Sequence, residues 1–166
     1  ISFVRHLNRN KEALHQRPIY VDQKVNQTSI EVAFQYNDSY VENVFTFANN
    51  IHTVDGGTHL TGFRAALTRS LNEYARRAGI LTDSDANLSG DRVKEGLTAV
   101  VSVKLVEPQF EGQTKGKLGN ADVKGQVEGA VADGIAQYLD ENPGDGRKII
   151  EKCLTSARAR EAARKA

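Results

Sequence analysis

The sequence of 166 residues predicts an α+β fold: a mainly antiparallel, four-stranded sheet with helices packed on it and a long C-terminal helix. Three patterns carry that prediction. SIEVAFQY, residues 29–36, alternates with Ile30, Val32, Phe34 and Tyr36 on one face and Glu31, Ala33 and Gln35 on the other. LTAVVSVKL, residues 97–105, is apolar almost throughout. Two long segments, 60–78 and 123–139, repeat apolar residues every three or four positions, the helical period.

The elements follow in order. SFVRHLNRN sets Phe3, Val4 and Leu7 at helical spacing, so a short amphipathic helix opens the chain. PIYVDQKV is an edge strand, because Pro18 cannot donate to a ladder. SIEVAFQY and YVENVFTFANNI, separated by the turn residues around Asn37, Asp38 and Ser39, are expected to form a hairpin. Asp55-Gly56-Gly57 makes a turn and Thr58 is placed to cap a helix whose apolar face is Leu60, Phe63, Leu67, Leu71, Tyr74 and Ala78. Gly79 closes it. ILTDSDANLSGD is a polar connection.

In the next strand Leu97, Ala99, Val101, Val103 and Leu105 share a face while Val100 and Val106 supply the other, which places it inside the sheet. Val123, Val127, Val131, Ile135 and Leu139 then define a helix that contains Gly125, Gly129 and Gly134. Each glycine costs about 0.8–1 kcal/mol relative to alanine, which predicts close approach by a neighbour. Asn142-Pro143-Gly144 breaks this helix and Asp145 caps the last, giving a body of residues 1–143 and a connecting helix of 144–166.

Composition narrows the function. With 39% hydrophobic and 26% charged residues the chain has the make-up of a soluble globular protein. One cysteine, Cys153, excludes a disulfide framework and suits a reducing cytoplasm. Cys153 shares the apolar side of the last helix with Ile149 and Ile150 and reads as core. No apolar run reaches the ~20 residues that span a bilayer. A net charge of +1 selects no partner. The last twenty residues are nonetheless basic, with Arg147, Lys148, Lys152, Arg158, Arg160, Arg164 and Lys165 against Glu151 and Glu161. A solvated helix face and a nucleic-acid backbone contact both fit that pattern. Ile1 opens within an apolar pattern and Ala166 stops within a helical one, as in a piece of a longer protein.

Among candidate chemical motifs, FEGQTKGKLGN, residues 110–120, stands out. It is not a P-loop: only Gln113, Thr114 and Lys115 separate Gly112 from Gly116, and Leu118 stands where a magnesium-binding hydroxyl belongs. Its glycines can still present backbone N–H groups to an anion, with Lys115 as a point charge and Gln113 as a neutral donor. A solvated loop and an anion-contacting loop both remain open on residue types. His6, His15, His52 and His59 lack zinc-ligand spacing, and no metal site is predicted. Asp91 and Glu95 could pair for acid–base work, though salt bridging or capping is the ordinary reading.

Four stretches decide between these readings. DGGTHLTGFRAALTR (55–69), GDRVKEGLTAVVSVK (90–104), PQFEGQTKGKLGN (108–120) and ENP followed by AREAARKA resemble the DNA gyrase B family of type IIA topoisomerases, in the family's order and over essentially the whole chain. The resemblance is narrower still to the family's transducer domain, and the decatenating topoisomerase IV shares most of these motifs.

This resemblance implies an α+β domain with a left-handed βαβ crossover, like the second domain of a small-subunit ribosomal protein. It belongs to an ATP-dependent enzyme that passes one DNA duplex through a break in another and supercoils DNA. By the same resemblance, Lys115 contacts the ATP γ-phosphate and stabilises the transition state, Gln113 helps complete the nucleotide site, and Gly112, Thr114 and Gly116 shape the loop. Arg64 and Arg69 are implied DNA contacts. ATP and Mg2+ are the implied cofactors. DNA, the gyrase A protein and a second copy of the gyrase B protein are the implied partners, in the cytoplasm and not at a membrane. Lys94 stands where arginine is common and Leu60 where many members carry an acid. Nothing matches the family's magnesium-holding asparagine helix, ATP lid or acidic cleavage cluster, so the chain alone is expected to be inactive. A nucleotide-independent DNA-binding module is the competing expectation.

Overall fold

The computed structural model describes residues 2–9, 11–111 and 115–165. In chain order these form α1 (Ser2–Leu7), β1 (Ile19–Val25), β2 (Thr28–Tyr36), β3 (Asn43–Ala48), β4 (Ile51–His52), α2 (Thr58–Arg77), α3 (Gly90–Val93), β5 (Leu97–Lys104), β6 (Phe110–Glu111), β7 (Lys117–Leu118), α4 (Ala121–Glu141) and α5 (Pro143–Lys165). The main sheet has the order β1-β2-β5-β3-β4, and β6 and β7 make a separate two-stranded ribbon. Only β3 and β5 run parallel, joined through α2; the other neighbours are antiparallel. The mainly antiparallel α+β architecture is therefore present, with β4 as a fifth strand beyond the four expected.

β5 lies at the centre because its side chains are buried along one face and half-buried on the other. That position corrects the expected hairpin. β2 does not pair with β3; β5 runs between them, and the segment after β2 is drawn away when Asn37 N–H donates to Gly96 O and Asp38 N–H to Glu12 O. The true hairpins are β1/β2, turning at Asn26 with φ 55°, and β3/β4, turning at Asn49-Asn50 with φ 49° and 67°. Asparagine tolerates that left-handed backbone better than other non-glycine residues, and two such residues in succession suit a tight hairpin.

One face of the sheet carries the core. Ile30, Val32, Phe34 and Tyr36 of β2 and Leu97, Ala99, Val101 and Val103 of β5 meet Phe63, Leu67 and Leu71 of α2 and the valines of α4. Phe34 and Phe63 pack edge to face at 5.6 Å. The opposite face is covered at one end by α1, where Asn8 joins Gln35, Asn37 and Thr98 in a buried hydrogen-bonded cluster. Cys153 is buried with Ile149 and Ile150 as expected.

Several local expectations change. Thr58 is the first helical residue, not the cap; Gly57 flanks α2 at φ 133° without a side-chain cap bond. Gly79 does close α2: Ile80 N–H donates to Ala75 O and Gly79 N–H to Arg76 O. The polar connection runs into α3, which begins at its end and is capped by Ser89. β5 ends at Lys104, leaving Leu105 outside the strand and Val106 exposed. α5 begins at Pro143, where a missing N–H costs nothing, and Asp145 accepts from the Tyr138 hydroxyl at 2.7 Å instead of capping. Of the three α4 glycines only Gly134 is closely approached, by Val21; Gly125 and Gly129 face open space. The tight helix contact comes from Gly62 of α2, where a Cβ would lie 2.4 Å from Lys124 O of α4.

Candidate functional site

The loop that carries Lys115 joins β6 to β7 and is secured at its base. Phe110 pairs with Leu118 and Glu111 with Lys117. Leu118 is fully buried, Gly119 N–H donates to Gln109 O at 2.7 Å, and the Asn120 side chain bridges Gln109 N–H and Glu107 O. The Lys117–Glu111 ion pair at 3.3 Å is exposed on both sides and adds little.

A second set of bonds docks the ribbon on the turn before α2. Asp55 N–H donates to Gly116 O at 2.7 Å and Leu118 N–H to Gly56 O at 3.1 Å. This approach is possible because residue 57 is glycine: a Cβ there would lie 2.3 Å from Leu118 O and 2.5 Å from Leu118 N. Above these ties Lys115 is exposed and holds φ 56°, and it forms no salt bridge among the described residues. Gly116 is buried beneath it. Gly112, Gln113 and Thr114 lie outside the described residues. With no ion pair to another described residue, the Lys115 ammonium can meet an anion without first breaking one.

Beneath the turn, polar side chains continue inward. Thr46 Oγ1 lies 2.6 Å from Thr53 Oγ1, which lies 3.0 Å from His59 Nε2. Burial lowers the His59 pKa to about 4, so the ring is neutral at physiological pH. The seat of the ribbon on Asp55–Gly57 and the His59 chain were not predicted from sequence. The double glycine beside Asp55 was their only signal, and it read as an ordinary turn.

Arg64 and Arg69 lie roughly two and three turns along α2, on its exposed face. Arg64 pairs with Glu42 at 2.7 Å and Arg69 with Glu128 at 2.9 Å. Arg76 spends its donors on Asn87 Oδ1 and the Thr82 and Asp85 carbonyls. Asp91 pairs with Lys94, and Glu95 accepts from Arg92 and Arg160, so the two acids are engaged separately. Among the described residues no three His, Cys, Asp or Glu side chains gather as a metal site, and no helix is long and apolar enough to cross a membrane.

Similarity to known proteins settles the kinship. A family profile described as DNA gyrase B matches residues 1–166. The chain belongs to the DNA gyrase B family. The DNA gyrase B protein of Clostridium acetobutylicum is 58% identical across 99% of this chain, which spans 26% of that protein. Its counterpart from Bacillus mycoides is 51% identical across 99% of this chain and 41% of its own length. The chain therefore spans roughly a quarter to two fifths of these relatives. Among solved structures, the 43K ATPase domain of Thermus thermophilus gyrase B, in complex with an aminocoumarin, superposes with a TM-score of 0.92 at 41% identity, covering 99% of this chain and 44% of that one. The topoisomerase IV ATP-binding domain of Francisella tularensis, in complex with a small-molecule inhibitor, gives 0.80 at 28% identity, over 93% and 42%.

Proposed function

We propose that this chain is the transducer domain of an ATP-dependent type II DNA topoisomerase, DNA gyrase, and that Lys115 is its contact to the ATP γ-phosphate. The observation that carries the reading is the uncommitted Lys115 on a ribbon tied by backbone bonds to the start of α2. In this reading the body is residues 1–143, with a left-handed β3–α2–β5 crossover, and residues 144–166 connect it onward in a cytoplasmic enzyme. The 58% and 41% identities to the gyrase B proteins of Clostridium acetobutylicum and Thermus thermophilus, against 28% for the Francisella tularensis topoisomerase IV domain, support gyrase within the family.

The residues fit a phosphate better than a metal. Lys115 supplies a cation and the loop supplies backbone N–H groups, whereas the described residues bring no oxygen-ligand cluster together for Mg2+. The metal and adenine are assigned to other parts of the enzyme. ATP, when bound, supplies the phosphate anion whose departure removes charge from the loop. Lys115 donates a charge-assisted hydrogen bond of about 1.5–3 kcal/mol and stabilises developing charge in the transition state. Gln113 adds a neutral donor, with Gly112, Thr114 and Gly116 shaping the loop. The ribbon, held through Asp55 and Gly56, passes its displacement to α2 and the sheet, a switch driven by one charge. Arg64 and Arg69 face the passing duplex, exchanging Glu42 and Glu128 for DNA phosphates. The gyrase A protein and a second copy of the gyrase B protein complete the enzyme.

The test is Lys115→Ala in the full-length protein. ATP turnover should fall about 10²–10³-fold while adenine-nucleotide binding stays close to wild type. Normal turnover would refute the assignment. Steeply salt-dependent duplex binding by this chain alone, with no effect of Lys115→Ala on turnover, would favour a nucleotide-independent DNA-binding module.

A further inference from the structure

α5 is held to the body along one seam. Ile149, Cys153 and Ser156, spaced by four and three residues, are fully buried. From Ala157 to Ala163 no side chain is buried. Arg160 takes the next step of the same seam. There its Nε and Nη2 donate to Glu95 Oε1 at 3.0 and 2.8 Å, and Arg92 Nη1 donates to the same oxygen at 3.2 Å. The Glu95 side chain is 6% exposed. Burial pushes its pKa up, and hydrogen bonding from Arg160 and Ser156, with the Arg92 charge alongside, more than reverses this, so the carboxylate stays ionised at neutral pH.

The contact joins a buried carboxylate to an arginine whose side chain is 60% exposed, so it adds little net stability. What the charged contact adds is a defined geometry, because two N–H groups of Arg160 and one of Arg92 converge on the single oxygen Oε1, whereas an apolar contact can slide. Its place in the fold matters as much. Glu95 lies just before β5, a strand of eight residues, about 26 Å long. The far end of β5 leads through residues 105–109 into the ribbon that carries Lys115. With β2 and β3 on its two sides, β5 moves with the sheet and not alone.

We infer that Glu95 is a positioning residue for energy coupling: through Arg160 it fixes the direction in which α5 leaves the body, so that a displacement of the Lys115 ribbon reaches the rest of the enzyme. The inference rests on the reading of Lys115 as the phosphate contact. It is tested in the full-length protein joined with the gyrase A protein, by measuring ATP turnover, ATP consumed per supercoil introduced, and thermal unfolding. Arg160→Ala removes the fork from an exposed helix face, Glu95→Gln removes the charge, and Arg160→Lys keeps the charge without the fork. Arg160→Ala and Glu95→Gln should hydrolyse ATP at close to the wild-type rate while consuming about 5- to 150-fold more ATP per supercoil, the span of a typical coupling between sites. Arg160→Lys should fall between them and wild type.

Unchanged ATP per supercoil in Arg160→Ala overturns the inference. So does a parallel loss of hydrolysis and supercoiling that tracks a lowered unfolding temperature, which is what a purely structural contact gives. Normal hydrolysis in Lys115→Ala would instead remove the underlying phosphate reading. A dead Lys115→Ala together with a fully coupled Arg160→Ala sinks the Glu95 role alone.

Discussion

At the C-terminal side of β5 the Lys115 ribbon is fastened by backbone bonds to the Asp55–Gly57 turn, while at the N-terminal side α5 is fastened by a buried carboxylate and two arginines. The backbone fastening has no charge to lose, and its most stringent demand is the absence of a side chain at residue 57. The other depends on Glu95 remaining ionised and on the fork of Arg160. On the proposed reading, in which Lys115 gains and loses an anion, a base held by neutral backbone bonds keeps its grip in either state. A connecting helix needs a defined direction more than strength. The two fastenings divide those requirements.

The contrast meets its severest challenge at residue 57. Gly57→Ala places a Cβ against the Leu118 backbone at φ 133°, where neither partner is a flexible side-chain tip. Folding stability should fall by on the order of 4 kcal/mol, the level of exceptional single substitutions. Denaturant unfolding checks this, and a loss under about 1 kcal/mol would mean that the ribbon shifts freely on its seat.

Acid separates the two fastenings more gently. His59, beneath the ribbon, has a folded pKa of about 4 against an ordinary value of 6.5. Above pH 6.5 its contribution is constant. As pH falls from 6.5 to about 4 the unfolded chain takes up a proton that the folded chain refuses, so stability drops by about 2–3 kcal/mol at the lower end. The Glu95 carboxyl, held below its ordinary range, loses its charge at a lower pH than an ordinary glutamate. His59→Gln should flatten much of the slope between pH 6.5 and 4 in chemical denaturation, leaving the part due to His15, whose pKa burial also lowers. An unaltered slope would show that His59 is not buried neutral.

Elements whose signal is local were legible in the sequence. The period of α2 and α4, the closing Gly79 and the apolar run of β5 each announce themselves within a few residues. The pairing of β2 with β5 was not, because nearness in sequence argued for β2 with β3 and only the two-sided burial of β5 reverses that. Glycines misled in the same way. Gly125 and Gly129 look like contact points and face open space, while Gly62 looks like a defect in α2 and makes the closest helix approach. Lys115 and its flanking glycines stood out in the sequence as a candidate anion contact, and the structure shows the ribbon that carries Lys115. The seat at Asp55–Gly57 and the Arg160–Glu95 contact join residues more than fifty positions apart, and no periodic pattern encodes such meetings.

The claim that ties both ends of β5 together is that Glu95, through Arg160, holds α5 in one direction on the sheet that the Lys115 ribbon displaces. Spin labels at Lys24 on β1 and Arg158 on α5, both exposed, report that direction as a distance in the full-length protein. The distance should stay single and narrow with and without a non-hydrolysable ATP analogue, and should spread when the same label pair is carried with Glu95→Gln. An equally narrow distance in the Glu95→Gln protein would contradict the account.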